Sequence, residues 1–313
     1  MRDSGEVREQ EPLAPGLYLV GTPIGNLGDI TLRALDVLRR VDRIACEDTR
    51  HTQKLLNHYE IHSPTISCHL HNEHDRVPEL VAALQAGGSI ALVSDAGMPG
   101  VSDPGGLLVQ AAIAAGVNVI PVPGANAALS ALVASGLAAS EFHFIGFLPE
   151  KAGARRTRLE ELRAEIDASR SPRTLVFYEA PHRILSVLAD FEAVWGTELK
   201  IVVARELTKV HEEFLRGSVA EVRKQMTERD GVRGEITVIV EAWPREALAV
   251  SERAMNAESI GDRVTKIQAE ANVDEKEALK RLARELGRAK SELYRELQRE
   301  RAARSTVKRQ IGR

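Results

Sequence analysis

Aromatic side chains make up only 4% of this 313-residue chain, and it has two cysteines. So few rings exclude a broad stacking surface for single-stranded nucleic acid. Cys46 and Cys68 cannot build a disulfide framework; they fit a reducing, cytoplasmic setting and read as packing residues. No apolar run approaches the ~18 residues of a membrane span, so no membrane partner is expected. The opening MRDSGEVREQEP lacks the apolar core of a signal peptide, and residues 1–15 read as a disordered leader. Two phosphate-binding signatures are missing as well. The first glycine loop, GTPIGNLGD at 21–29, has neither the GxGxxG spacing of a dinucleotide loop nor the Lys-Ser/Thr ending of a P-loop. Pro23 also removes an amide that a phosphate cradle would use.

What is present is an ordinary globular composition, 43% hydrophobic and 28% charged, long enough for two domains. Its charge is uneven. Residues 280–313 hold twelve Lys/Arg against four Asp/Glu, a net +8, which leaves −11 for residues 1–279 of a chain at −3. A basic tail on an acidic body suits an anionic partner or a solvated helix face equally well. Short apolar runs at 17–20, 43–46, 64–68, 90–93 and 117–121 alternate with helical patterns at 32–38, 52–58, 77–85 and 104–116. Such alternation predicts a largely parallel sheet covered on both faces. The run Pro121-Val122-Pro123-Gly124 marks a boundary, followed by an alanine-rich helix at 125–135. A second α/β set has strands at 142–147, 174–178 and 200–204, then two antiparallel strands at 213–216 and 235–241. From residue 245 the pattern is helical, with Leu282, Leu286, Leu293 and Leu297 as a packing seam.

Both glycine loops leave the carboxyl ends of strands, where open α/β sheets bind ligands. The second, SDAGMPGVSDPGG at 94–106, carries Asp95 and Asp103. These would repel a phosphate but accept hydrogen bonds from an amine or ribose hydroxyls; Asp103 could equally cap the helix that Pro104 begins. Glu179 and Arg183 lie one helical turn apart, as a salt bridge or as a polar cluster facing substrate. Arg205, Glu206 and Lys209 carry the same alternatives. Five of the nine histidines crowd between His58 and His74, and His69-x-His71-x-x-His74 has a metal-like spacing without a supporting thiolate or carboxylate.

The ordered runs LYLVGTPIGNLGDIT, EDTRHTQKLL, SDAGMPGVSDPG, VPGANAALSAL, FIGFLPEK, FYEAPHR and ARELTKVHEE resemble the tetrapyrrole-methylase superfamily of S-adenosylmethionine-dependent methyltransferases. Within it they are most similar to the members that methylate the ribose 2′-hydroxyl of a decoding-region cytidine in 16S rRNA. The resemblance implies two α/β domains, 16–121 and 122–243, with a cofactor cleft between them, and a small basic helical domain at 244–313. It implies S-adenosyl-L-methionine as cofactor, 16S rRNA or the small ribosomal subunit as partner, and a homodimer. Carried over by motif, Pro23, Gly25, Asp95, Ala96, Gly97, Val101, Ser102, Asp103, Asn126, Ala127, Phe147 and Leu148 would bind cofactor. Glu179, His182 and Lys209 would act as bases or orienting groups. Thr22, Asn26, Arg50, Arg183 and Arg205 would meet RNA; no metal is expected. A tetrapyrrole substrate, or a non-catalytic cofactor-sensing RNA binder, are the alternatives.

Overall fold

The computed structural model describes residues 13–69, 72–247 and 260–299, in two compact units that divide after Pro244. The larger unit contains two five-stranded sheets. In the first, β1 (Gly16–Val20), β2 (Arg43–Cys46), β3 (Thr65–Ser67), β4 (Ser89–Val93) and β5 (Val119–Val122) run parallel in the order β3-β2-β4-β1-β5. Every residue of β4 is buried, because helices cover both faces of the sheet. One face packs α1 (Leu32–Arg40) and α2 (Thr49–His58) around Leu38, Ile44 and Leu56. The other packs α3 (Glu73–Gln85) and α4 (Gly106–Ala114) around Leu80, Ile90 and Leu108. Leu13, expected in the leader, packs against the first of these cores, and the Tyr18 hydroxyl donates to the carbonyl of Ala14. The rest of that leader, residues 1–12, lies outside the described residues.

The second sheet is mixed, in the order β6 (Phe142–Phe147), β7 (Arg173–Glu179), β10 (Ile236–Ala242), β8 (Lys200–Arg205), β9 (Glu213–Ser218). Only β6 and β7 pair in parallel; the other three pairings are antiparallel. Helix α5 (Ala127–Ser135) packs on one face with Val176, Val202 and Ile239. Helices α6 (Ala152–Ser169), α7 (Ile184–Trp195) and α8 (Val219–Thr227) fill the other with Leu159, Phe177 and Phe191. Helix α6 is hard to separate in the sequence because its inner face includes charge. Buried Arg155 bonds Asp190 of α7 at 2.7 Å, and Arg163 is buried beside it.

Two features depart from the sequence expectation around the second glycine loop. Helix α4 begins at Gly106, so Pro104 precedes the helix rather than opening it. Its cap, Gly105, sits at φ 116°, a conformation open to glycine, and Asp103 caps nothing. The first-turn amides of Gly105, Leu107 and Leu108, which have no partner within the helix, instead donate to Oε1 of Glu73, a buried carboxylate on α3, which also opposes the positive end of the helix.

The smaller unit holds α9 (Ile260–Ala271), α10 (Glu275–Leu286) and a further helical run at 290–299. Leu282, Leu293 and Leu297 of the expected seam are buried with Ile260, Val264 and Leu279, and Leu286 packs against them half-buried. No helix among the described residues is long and apolar enough to cross a membrane.

Candidate active site

Because β1 and β4 are neighbours, their two glycine loops leave the sheet side by side. Thr22 and Gly97 then stitch the loops together, each amide donating to the other's carbonyl at 2.9 and 3.1 Å. The Thr22 hydroxyl, buried, donates to the carbonyl of Ser94 at 3.1 Å. Behind the bridge, Gly21 meets Gly124 of the linker so closely that a Cβ on either would stand 2.7–2.8 Å from the other's backbone. The end of β1 therefore lies against the start of the second half of the chain, and only glycine permits that approach.

A cavity of about 310 Å³ opens where the two halves meet, a size suited to a small cofactor. Its first wall is mostly backbone and small side chains: Ala96, Gly97, Val101, Ser102, Asp103 and, after the linker, Asn126 and Ala127. Its second wall holds Phe147, Tyr178, Glu179, Leu207, Glu235 and Thr237. Ring centroids of Phe147 and Tyr178 lie 5.7 Å apart edge to face, and Phe147 leaves 57% of its surface exposed, so a flat apolar ring surface faces the opening. Asn126 caps α5 through Oδ1, which accepts the Leu129 amide at 2.9 Å, so its NH₂ group is left for a ligand.

Electrostatics single out Asp103. Burial, with the nearby carboxylates Glu47 and Asp95, pushes its carboxyl from 3.8 up to about 6, against a hydrogen bond from Ser94. Glu47 is raised too, by burial and then by Asp95. A half-buried acid among acids is relieved by a cation and made worse by a phosphate.

The second wall is locked in ion pairs. Glu179 forms an ion pair with Arg183, its Oε2 accepting from a terminal guanidinium nitrogen at 3.1 Å and its Oε1 lying 2.9 Å from Nε, and Oε1 accepts the Ala180 amide at 2.8 Å. The remaining reach of Arg183 goes to the Leu148 carbonyl at 2.8 Å. Lys209 Nζ donates to Glu206 at 2.7 Å and to Glu235 at 2.8 Å. Burial alone would lower the Lys209 pKa, but those two bonds outweigh it and raise it. The lysine stem lies across Gly25 of the first loop, where a Cβ would come 2.4 Å from Lys209 Cγ. Arg205 donates to Glu213, to the Arg233 carbonyl and to the His211 carbonyl.

Of the residues expected at the cofactor, Ala96, Gly97, Val101, Ser102, Asp103, Asn126, Ala127 and Phe147 line the cavity. Pro23, Gly25, Asp95 and Leu148 do not: Gly25 lies under Lys209, Asp95 Oδ1 accepts the Asp48 amide at 3.3 Å, and Leu148 is in the core beneath the second sheet. Among the expected acid–base groups Glu179 lines the cavity, whereas His182 is exposed outside it. Lys209 sits protonated between two carboxylates, which suits it to orienting a substrate oxygen. None of the five residues expected to meet RNA lines this cavity. Thr22 is buried in the loop bridge, Asn26 accepts the Gly28 amide, and Arg183 is committed to Glu179. Arg50 pairs with Asp48 in solvent, and Arg205 belongs to another cluster. The sequence reading missed Met98, Glu235, Ile236 and Thr237 as lining residues; β10 supplies the last two, and no local motif marks a strand that arrives from over a hundred residues after the loop. His71 lies outside the described residues, and no group of three potential metal ligands occurs among the described ones.

Comparison with known proteins accounts for this architecture. Residues 16–223 match the model of the tetrapyrrole (corrin/porphyrin) methylases. The chain is 46% identical over 278 residues to ribosomal RNA small subunit methyltransferase I of Synechocystis sp., covering 89% of this chain and 95% of that protein. It is 49% identical over 256 residues to the protein of that name from Micromonospora olivasterospora, covering 82% and 79%. The fold is that of uroporphyrin-III C-methyl transferase from Thermus thermophilus complexed with S-adenyl homocysteine, at TM-score 0.50 and 16% identity over 75% of this chain and 99% of that one. S-adenosylmethionine is the cofactor, and the cavity fits it: Asp103 and its acidic neighbours suit a sulfonium and an ammonium, and the exposed ring of Phe147 suits an adenine. The chain belongs to the tetrapyrrole methylases and, within them, to the ribosomal RNA small subunit methyltransferase I group of methyltransferases.

Proposed function

We propose that this protein transfers a methyl group to the ribose 2′-hydroxyl of a decoding-region cytidine in 16S rRNA. The observation that carries the reading is the contrast across the cavity: a backbone-lined wall with one half-buried acid faces a wall of ion-paired carboxylates and bases at the rim. The names of the relatives near half identical support ribosomal RNA as the substrate.

S-adenosylmethionine supplies an electrophilic methyl carbon, so the difficult bond is already activated in the cofactor. The chain's residues position the partners and exclude water. Asp103 holds the cationic end, with the backbone of Ala96 and Gly97, Val101, Ser102, Asn126 and Ala127 around it and Phe147 against the base. Glu179 accepts two hydrogen bonds, from the Ala180 amide and an Arg183 terminal nitrogen, against roughly four lone-pair positions. Its remaining capacity accepts the hydrogen bond of the 2′-hydroxyl, aims the oxygen lone pair and takes the hydroxyl proton that leaves as the oxygen gains the methyl group. Lys209, with one ammonium hydrogen beyond its two carboxylate partners, holds a substrate oxygen. The two α/β halves, 16–121 and 122–243, work as one catalytic body, and the chain acts in the cytoplasm as a homodimer, which the family resemblance implies and sedimentation tests.

Mapping ribose methyl groups in rRNA from cells with and without the gene tests the reading. One methylated decoding-region cytidine present only with the gene supports it. Labelling of a tetrapyrrole by the purified protein, with none in small ribosomal subunits, overturns it.

A further inference from the structure

A second pocket, open and about 360 Å³, lies beside the active cavity. Its walls are Arg205, Arg229, Asp230, Gly231, Val232 and Arg233. Three guanidinium groups converge there against two carboxylates, Asp230 in the lining and Glu213 beneath it. Glu213 organises the cluster. Its Oε1 and Oε2 accept from Arg229 at 2.6 and 2.7 Å, and Oε2 also accepts from Arg205 at 3.1 Å. The hydrogen bonds from Arg229, then Arg205, hold the Glu213 carboxyl at about 2 despite partial burial. The anion that fixes these guanidiniums therefore stays ionised at any working pH. Arg233 is exposed and forms no salt bridge among the described residues.

Strand register ties this pocket to the chemistry. Glu179 of β7 pairs with Ile236 of β10, Ile236 pairs with Arg205 of β8, and Arg205 pairs with Glu213 of β9. One row across the sheet thus runs from the cavity carboxylate to the arginine cluster. Two strand spacings, about 10 Å, separate Glu179 from Arg205, a distance on the scale of neighbouring nucleotides. Planar guanidiniums with a surplus positive charge match phosphate oxygens in shape and charge.

We propose that this pocket seats a backbone phosphate of the RNA strand next to the methylated nucleotide, with Arg229 and Arg233 as positioning residues. The inference rests on the rRNA reading above. In it, Glu213 acts as a built-in counter-ion that keeps Arg205 and Arg229 spread before RNA arrives. The phosphate bridges toward Arg233, the guanidinium with no protein carboxylate of its own.

The test compares wild type, Arg233→Gln, Arg233→Lys and Arg229→Gln in the full-length protein. It measures steady-state methyl transfer to small ribosomal subunits, cofactor affinity, and the salt dependence of binding to a small-subunit RNA fragment. Arg233→Gln should raise KM for RNA about tenfold, leave kcat within about twofold and cofactor affinity unchanged, and flatten the log–log salt slope by about 0.7. Arg233→Lys should recover part of the KM. Arg229→Gln can also disturb Glu213, so Arg233→Gln, with no folding partner to lose, decides. A wild-type KM and slope in Arg233→Gln overturn the pocket. Wild-type protein that binds the RNA but transfers no methyl to it overturns the substrate reading instead, while the salt slopes still decide the pocket.

Discussion

The two walls of the active cavity are made of opposite materials. Toward β1 and β4 the wall is backbone, small side chains and one half-buried acid; toward β7, β10 and β8 it is side chains held in ion pairs. A backbone wall recognises a ligand by close approach, and its one charge is strained without a cation. A wall of paired charges is already satisfied and has only spare lone pairs and hydrogens to offer. The comparison teaches that the cofactor side is built with an unmet electrostatic need, whereas the substrate side is preorganised before substrate arrives.

The strongest way to break the comparison is Glu179→Ala. It leaves the Arg183 guanidinium, 15% exposed, without its carboxylate, and losing one member of a buried pair costs about 3–5 kcal/mol. Thermal unfolding should show that loss, and Glu179→Gln, which keeps a hydrogen-bond acceptor, should lose clearly less. Equal melting temperatures for Glu179→Ala and wild type would mean the second wall is not locked.

Asp103→Asn probes the opposite wall. Removing a charged hydrogen-bonding group should weaken S-adenosylmethionine binding by about 1.5–3 kcal/mol at pH 8. In the wild type, cofactor affinity should decline as pH falls through about 6, where Asp103 takes up its proton. The sign for stability is opposite. A carboxyl raised from 3.8 to about 6 favours the folded state below 3.8, and that contribution is lost as pH rises through about 6. Ligand-free Asp103→Asn should therefore melt higher than wild type at pH 8 and no higher at pH 4. Calorimetric titration and melting curves at those pH values check both halves; a pH-independent affinity would remove Asp103 from the cation site.

Gly25→Ala sharpens the point where the walls touch. The new methyl must displace the Lys209 stem, a flexible group, so about 1 kcal/mol of stability should be lost, with a larger proportional fall in methyl transfer as Nζ leaves Glu206 and Glu235. Retained activity would show that the Lys209 position does not matter to the chemistry. The smallest effect belongs to Arg50→Ala. Its side chain is 88% exposed and pairs only with Asp48, so the melting temperature should stay at the wild-type value; a shift would mean that this exposed pair supports the β2 end of the cavity.

Much of the first half was legible because its signals are local. Each short apolar run became a parallel strand, and Thr31 caps α1 through its hydroxyl as such a residue should. Glycine-rich loops at strand ends pointed to the cavity, and eight of the expected cofactor residues line it. What was not legible is non-local. Glu73 at the amides of α4 sits more than thirty residues from them, so Asp103 and Pro104 looked like the natural helix start. The spacings of Glu179 with Arg183 and of Glu206 with Lys209 left open whether these charges face substrate or each other; the fold closes both pairs and adds Glu235, from twenty-six residues on, to Lys209.

The sequence by itself determined the alternation of strands and helices, the absence of a phosphate loop and the kinship of the chain, since each depends on residue type at short spacing. Tertiary structure alone decided which carboxylates are free. Asp103 has no basic partner in a half-buried acidic corner, while Glu179 pairs with Arg183, Glu206 and Glu235 share Lys209, and Glu213 spreads two arginines beside them. The reason is physical: a charge's chemistry depends on burial and on partners within a few ångströms, and neighbours such as Glu47 beside Asp103 and Glu235 beside Lys209 come from distant parts of the chain.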